Sequence, residues 1–149
     1  MAFEYRLRRR IEFSETDMAG IVHFSNFFRY MEMAEHAFLR SLGFSVHPHE
    51  AGEYSGWPRV HADCDFQQPV RFEDEIEVHL RVIRKGTKSL SYHFTISRCE
   101  DGEPVSVAAN GHLTCVCMRK DEESGRMIGI PIPETLAKKI DVAPDVAEP

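Results

Sequence analysis

Ser25-Asn26-Phe27-Phe28-Arg29-Tyr30-Met31-Glu32-Met33-Ala34-Glu35-His36-Ala37-Phe38-Leu39-Arg40-Ser41-Leu42-Gly43 is the stretch on which the fold turns. Phe27, Tyr30, Met31, Ala34, Phe38 and Leu42 recur at helical spacing, which predicts one amphipathic helix over 27–42 with a single apolar stripe. Ser25 or Asn26 suits its N-cap, and Gly43 suits the left-handed residue that ends a helix. Most of the chain on either side alternates with period two instead. Before the helix, Phe3, Tyr5, Leu7, Ile11 and Phe13 share one parity, which Arg9 breaks. After it come four runs: Val60, Ala62, Cys64, Phe66, Val70 and Phe72; Ile76, Val78, Leu80 and Val82; Leu90, Tyr92, Phe94 and Ile96; and Val105, Val107, Ala109, Gly111, Leu113, Cys115 and Cys117. Each reads as a strand with one buried face.

Lys85-Gly86 and Asp101-Gly102 supply turns between the last three runs, so these strands are expected to be consecutive and antiparallel. Five strands and one long helix predict an α+β fold, a five-stranded antiparallel sheet wrapped round the helix. One helix covers only part of such a sheet and leaves an edge strand open, so a second subunit is expected to close the remainder. A short helix from Pro133 and Glu134 to Ile140 adds cover. The expected organisation is a single domain over 1–140 and a flexible tail over 141–149.

The 149 residues are 42% hydrophobic and 28% charged, enough for one self-supporting core and too few for a large two-domain enzyme. No run approaches the roughly 20 apolar residues of a membrane span, and the start lacks the apolar segment of a signal peptide, so a cytoplasmic protein is expected. A formal net charge of -6 argues against a nucleic-acid partner and leaves room only for local basic patches. Cys64, Cys99, Cys115 and Cys117 show no CxxC spacing and read as reduced thiols of the core. His47-Pro48-His49 lacks the further ligands of a closed metal site. Neither a metal nor another cofactor is expected.

The chemistry is expected in the segment Ser14-Glu15-Thr16-Asp17-Met18-Ala19-Gly20-Ile21-Val22-His23-Phe24-Ser25-Asn26. It carries a carboxylate into the start of the helix, where the first N–H groups have no internal partner and can hold a developing oxyanion. Asp17 is then placed to act as base or nucleophile on the same carbonyl. Spacing alone leaves a plain capping role for Asp17 open.

The run Asp17-Met18-Ala19-Gly20-Ile21-Val22, followed by Phe27, Tyr30 and Glu32, resembles the signature of the 4-hydroxybenzoyl-CoA thioesterase-like branch of the hotdog-fold acyl-CoA thioesterases. Ile11-Glu12-Phe13, Gly56-Trp57-Pro58, Pro69 and Asp74 extend the resemblance over nearly the whole chain. It implies a hotdog fold, an acyl-CoA substrate, and a homodimer or homotetramer with active sites at dimer interfaces. Asp17 matches the catalytic carboxylate, and Phe24 the helix-start position whose backbone N–H polarises the thioester carbonyl. His23 lies one place before a position that is histidine in some relatives, and is a further catalytic candidate.

Lys88 and Ser89 match positions that contact the coenzyme A phosphates, within the basic hairpin that also holds Arg84 and Lys85; a solvated turn is the alternative. Trp57, Pro58 and His61 are candidates for lining the acyl pocket across a dimer. Another hotdog branch uses a helix carboxylate, which makes Glu32 and Glu35 fallback catalysts. Glu32 is preferred in a structural hydrogen bond. The competing functions are a hotdog hydratase or dehydratase, which pairs Asp with His, and a non-catalytic acyl-CoA-binding protein.

Overall fold

A computed structural model describes residues 1–48, 54 and 56–145. Its main sheet holds β1 (Glu4–Arg10), β2 (Arg59–Phe66), β3 (Glu75–Lys85), β4 (Ser89–Glu100) and β5 (Glu103–Val116), antiparallel throughout, in the order β1-β3-β4-β5-β2. Helix α1 (Ser25–Ser41) lies across its inner face. This is the hotdog arrangement that the resemblance implies.

The period-two runs explain why the core sits where it does. Ile76, Val78, Leu80 and Val82 of β3 and Leu90, Tyr92, Phe94 and Ile96 of β4 are all fully buried, and they meet Tyr30, Met31, Ala34 and Phe38 of the helix stripe. At Gly111 a side chain is excluded. A Cβ there would lie 2.1 Å from Met31 Cε and 2.7 Å from the Asp63 carbonyl, so glycine lets the helix rest on the backbone of β5.

Four details depart from the sequence reading. The first strand stops at Arg10, and Phe13 opens a 3-10 turn (Phe13–Glu15) closed by a Glu12–Glu15 capping box, which leaves Phe13 exposed. Helix α1 starts before Phe27 and has Phe24 at the N-cap, with no side-chain cap from Ser25 or Asn26. The apolar parity of β2 is only partly buried: Val60 is 62% and Phe66 50% exposed, because β2 is an edge strand at the limit of the helix's cover. Past β5 a small hairpin of β6 (Met118–Lys120) and β7 (Met127–Gly129) forms, its strands too short to show a period.

The C-terminal helix α2 spans Glu134–Ala137. Beyond it the chain is tied back: Asp141 N–H donates to the Ala2 carbonyl, Ala143 N–H donates to the Val82 carbonyl, and Asp145 pairs with Arg81. No helix among the described residues is long and apolar enough to cross a membrane.

Candidate active site

The loop between the 3-10 turn and α1 folds back on itself around Asp17. The Asp17 N–H donates to the Ile21 carbonyl at 2.8 Å, and the Gly20 N–H returns to the Asp17 carbonyl at 3.0 Å. Gly20 carries a φ of 79°, which a side chain would oppose. The Asp17 carboxylate accepts the Ala19 N–H at Oδ1 (2.8 Å), a common Asp-initiated turn. Its second oxygen, Oδ2, takes no hydrogen bond among the described residues. Val22 N–H donates to Val70 O at 2.8 Å and anchors the far limb of the loop beside the main sheet.

At the start of α1, His23 accepts the Ser25 N–H through Nδ1 at 3.3 Å and lies 2.8 Å from Ser25 Oγ, while its carbonyl accepts the Asn26 N–H. Its ring stacks against Phe24 at 4.7 Å. The imidazole thus does the capping that Ser25 and Asn26 do not. The Phe24 N–H is left: no hydrogen bond among the described residues uses it. A free N–H at the positive end of a 17-residue helix is a donor for an oxyanion.

Asp17 and Phe24 line one cavity of about 430 Å³ with Ile21, Val22, Phe27, Phe66, Gln67, Gln68, Pro69 and Val70. Its aromatic wall is built from two elements. Phe66, at the end of β2, meets Phe27 edge-on at 5.3 Å and Phe24 at 6.5 Å. Residues 66–68 were not among the site residues that the sequence pointed to. Their only mark is the Gln67-Gln68-Pro69 break that ends an apolar parity.

The remaining candidates lie elsewhere within one chain. Trp57 is buried against Tyr54, and with Pro58, Glu32, His36 and Arg59 it lines a separate cavity of about 260 Å³. His61 faces the outer side of the sheet, 2.7 Å from Asp63, whose other oxygen lies 2.9 Å from His112 Nδ1. That pair borders a third cavity, of about 610 Å³, which includes Arg84. In the basic hairpin, Lys85 Nζ donates to the carbonyls of Ala137 and Ile140, holding the end of α2. Lys88 is exposed, and Ser89 opens β4. Neither Lys88 nor Arg84 has an ion-pair partner among the described residues.

Both fallback carboxylates are engaged by Arg59. Glu35 is fully buried and takes Arg59 on both oxygens, at 2.7 and 2.9 Å, and Glu32 Oε2 lies 3.2 Å from the same guanidinium. Burial pushes Glu35 above the ordinary glutamate range, against the pull of Arg59. Cys64, Cys99, Cys115 and Cys117 are free thiols; burial raises Cys64 and Cys117 to about 11. Among the described residues no group of three or more His, Cys, Asp or Glu is placed to hold a metal, and His49 lies outside those residues.

Residues 11–148 match the sequence pattern of the "Thioesterase-like superfamily". A protein of Aquifex aeolicus named "Putative esterase" is 40% identical over 134 residues, covering 88% of this chain and 93% of its own. The 1,4-dihydroxy-2-naphthoyl-CoA hydrolase of Synechococcus elongatus is 27% identical over 143 residues, covering 95% and 98%. In fold, the 4-hydroxybenzoyl-CoA thioesterase of Pseudomonas sp. strain CBS-3 superposes with a TM-score of 0.80 at 23% identity, covering 92% of this chain and 99% of that one.

Proposed function

The chain belongs to the thioesterase-like superfamily, and we propose that its activity, hydrolysis of an acyl-CoA thioester, runs on Asp17 and the Phe24 backbone N–H. One observation carries this reading. The unpartnered Phe24 N–H and a carboxylate with a free Oδ2 belong to residues that line the same cavity.

The thioester oxygen accepts the Phe24 N–H, which holds the negative charge that gathers there as the carbonyl carbon becomes tetrahedral. Asp17 either takes the proton of an attacking water or attacks that carbon itself, with water then opening the anhydride. In both routes the C–S bond breaks with its electron pair on sulfur, and the products are coenzyme A and a free carboxylic acid. Thiolate is a good leaving group, so no strong general acid is required. His23 supports the oxyanion donor by capping the helix.

The acyl group is an aroyl group, a carbonyl borne on an aromatic ring. Support comes from the aromatic wall of Phe24, Phe27 and Phe66 and from relatives named for aroyl thioesters of coenzyme A, 1,4-dihydroxy-2-naphthoyl-CoA hydrolase among them. Arg84, Lys88 and Ser89 meet the coenzyme A phosphates, while Lys85 braces α2. The four free thiols suit a reducing cytoplasm. The working unit is a homodimer or a pair of dimers joined along the open edge of β2, and its exposed Val60 and Phe66 favour such cover. Pro58 and His61 then approach the acyl group from the partner, with the buried Trp57 backing Pro58.

The test is Asp17→Asn in a thiol-release assay against 4-hydroxybenzoyl-CoA, decanoyl-CoA and propionyl-CoA. Turnover is expected to fall by about 10²–10⁴-fold with the fold intact. Wild-type turnover in the variant would remove Asp17 from the mechanism. A tenfold preference for either aliphatic ester would overturn the aromatic assignment alone. Sedimentation of a monomer at micromolar concentration would contradict the shared site.

A further inference from the structure

Arg9 is the residue that breaks the apolar parity of the first strand, and it stays on the inner side of β1. Its guanidinium lies over the Tyr30 ring at 5.2 Å, Nη1 donates to Met33 Sδ at 3.5 Å, and Nη2 donates to Glu15 Oε2 at 2.5 Å. The ion pair is largely shielded, with side-chain exposures of 23% for Arg9 and 13% for Glu15. Tyr30, fully buried beneath it, has its hydroxyl beside this ion pair. A cation here carries a desolvation cost that simple packing of β1 on α1 does not explain.

Glu15 shows what the cation holds. One carboxylate oxygen takes Arg9 and the other takes the Glu12 N–H at 2.8 Å. The Glu15 carbonyl in turn accepts the His23 N–H at 2.9 Å and the side-chain amide of the buried Asn26 at 2.8 Å. Residues 23 and 26 bracket Phe24, the oxyanion donor. Glu15 also stands two residues before Asp17, and Thr16 bridges Val22 across the two limbs of the loop. One residue therefore joins the carboxylate and the N–H that must meet the same carbonyl.

We propose that Arg9, Glu15 and Asn26 are positioning residues, a largely shielded clamp that fixes the distance between Asp17 and the Phe24 N–H. The proposal rests on the mechanism in which these two groups act together. Burial pushes Glu15 up, but the hydrogen bonds from Arg9 and the Glu12 N–H, with the charge of Arg9, outweigh it and leave the carboxyl below its ordinary range. The clamp is therefore charged while the enzyme works near neutrality. Misplacing catalytic groups by about 1 Å costs on the order of 10²-fold, so a clamp on both is felt in turnover rather than in binding.

The experiment measures kcat, KM and Tm for Arg9→Met, Glu15→Ala and Asn26→Ala on 4-hydroxybenzoyl-CoA, with Arg9→Lys as the conservative variant and Asp17→Asn as control. Each truncation should lower kcat by about 10–100-fold with KM within about twofold, and Arg9→Lys should recover most of the loss. Arg9→Met combined with Glu15→Ala should be no worse than the more damaging single change. Folded variants with wild-type kcat, whatever their Tm, would reduce the cluster to a structural brace. If Arg9→Met and Glu15→Ala do not fold, Asn26→Ala decides alone, because it removes one bond on the Glu15 carbonyl and leaves the ion pair. An inactive Asp17→Asn beside unimpaired clamp variants overturns only this inference; a fully active Asp17→Asn overturns the mechanism beneath it.

Discussion

Two carboxylates border the central helix, and they have opposite fates. Asp17 stands in the loop that leads into α1, half-buried, with Oδ2 free at a cavity. Glu35 lies in mid-helix, wholly buried, with both oxygens on Arg59 and His36 Nε2 at 3.7 Å. The helix carboxylate is the stronger acid-base candidate by burial alone, since burial raises it. It fails on access, because Glu35 is fully buried and each of its oxygens already takes an Arg59 N–H. Access to a cavity, more than perturbation of a pKa, separates the proposed reacting acid from the structural one.

The contrast breaks most easily by exchanging signatures. Asp17→Asn should cost about 10²–10⁴-fold in kcat while moving Tm little. Glu35→Ala should do the reverse, leaving turnover of the folded protein near wild type and removing about 3 kcal/mol of stability, because Arg59 is left without its buried partner. That figure is at the low end of the range for broken buried pairs since the Arg59 side chain keeps 26% exposure. Replacing both, Glu35→Leu with Arg59→Met, should be less damaging than Glu35→Ala in a chemical denaturation series. A large kcat loss in Glu35→Ala with an unchanged midpoint would return catalysis to the helix.

A smaller effect sharpens the Asp17 side of the comparison. Phe66→Leu retains an apolar wall but removes the ring that meets Phe24 and Phe27. Aromatic pairing beyond simple burial is worth ~0.5–1.5 kcal/mol, so kcat/KM on 4-hydroxybenzoyl-CoA should fall by up to about tenfold, with decanoyl-CoA affected less. Equal losses on both esters would mean that Phe66 contributes apolar area and no selection for a ring.

What the sequence discloses follows from the range of each interaction. Strands β3 and β4 and the stripe of α1 are legible because every second or every third to fourth residue repeats the same choice, and all those side chains end up in the core. The reading of β2 is half right for a physical reason: its parity is apolar, but Val60 and Phe66 find no cover within one chain. Asp17 and Phe24 are singled out by the motif, since the loop is local, and both line one cavity. The partnership of Glu35 with Arg59 spans 24 residues, and the hold of Glu15 on residues 23 and 26 runs through a backbone carbonyl, which any residue type supplies. Arg9 announced itself only as an interruption. A charge on an apolar parity is the one local trace that such a clamp leaves.

The smallest expected effect concerns pH, where Glu15 and Glu35 pull in opposite directions. Glu15 is held below its ordinary value of 4.5 in the folded chain, so the folded state binds its proton less tightly than the unfolded state does. Its contribution is fully present above about 4.5 and drains away as pH falls through the depressed folded value. Glu35 is raised, so its contribution is fully present below 4.5 and is lost as pH rises through the raised folded value. Thermal midpoints from pH 3 to 7 should therefore separate the two groups. Glu15→Gln should flatten the acid-side fall below about 4.5, and Glu35→Gln should flatten the decline above it. If the proposed Glu15 clamp carries the proposed oxyanion donor with it, wild-type turnover should fail on the same acid limb that Glu15→Gln flattens. If Glu15→Gln keeps the wild-type acid slope, protonation of Glu15 is not what loosens the loop, and the charge of the Arg9 pair is dispensable to it.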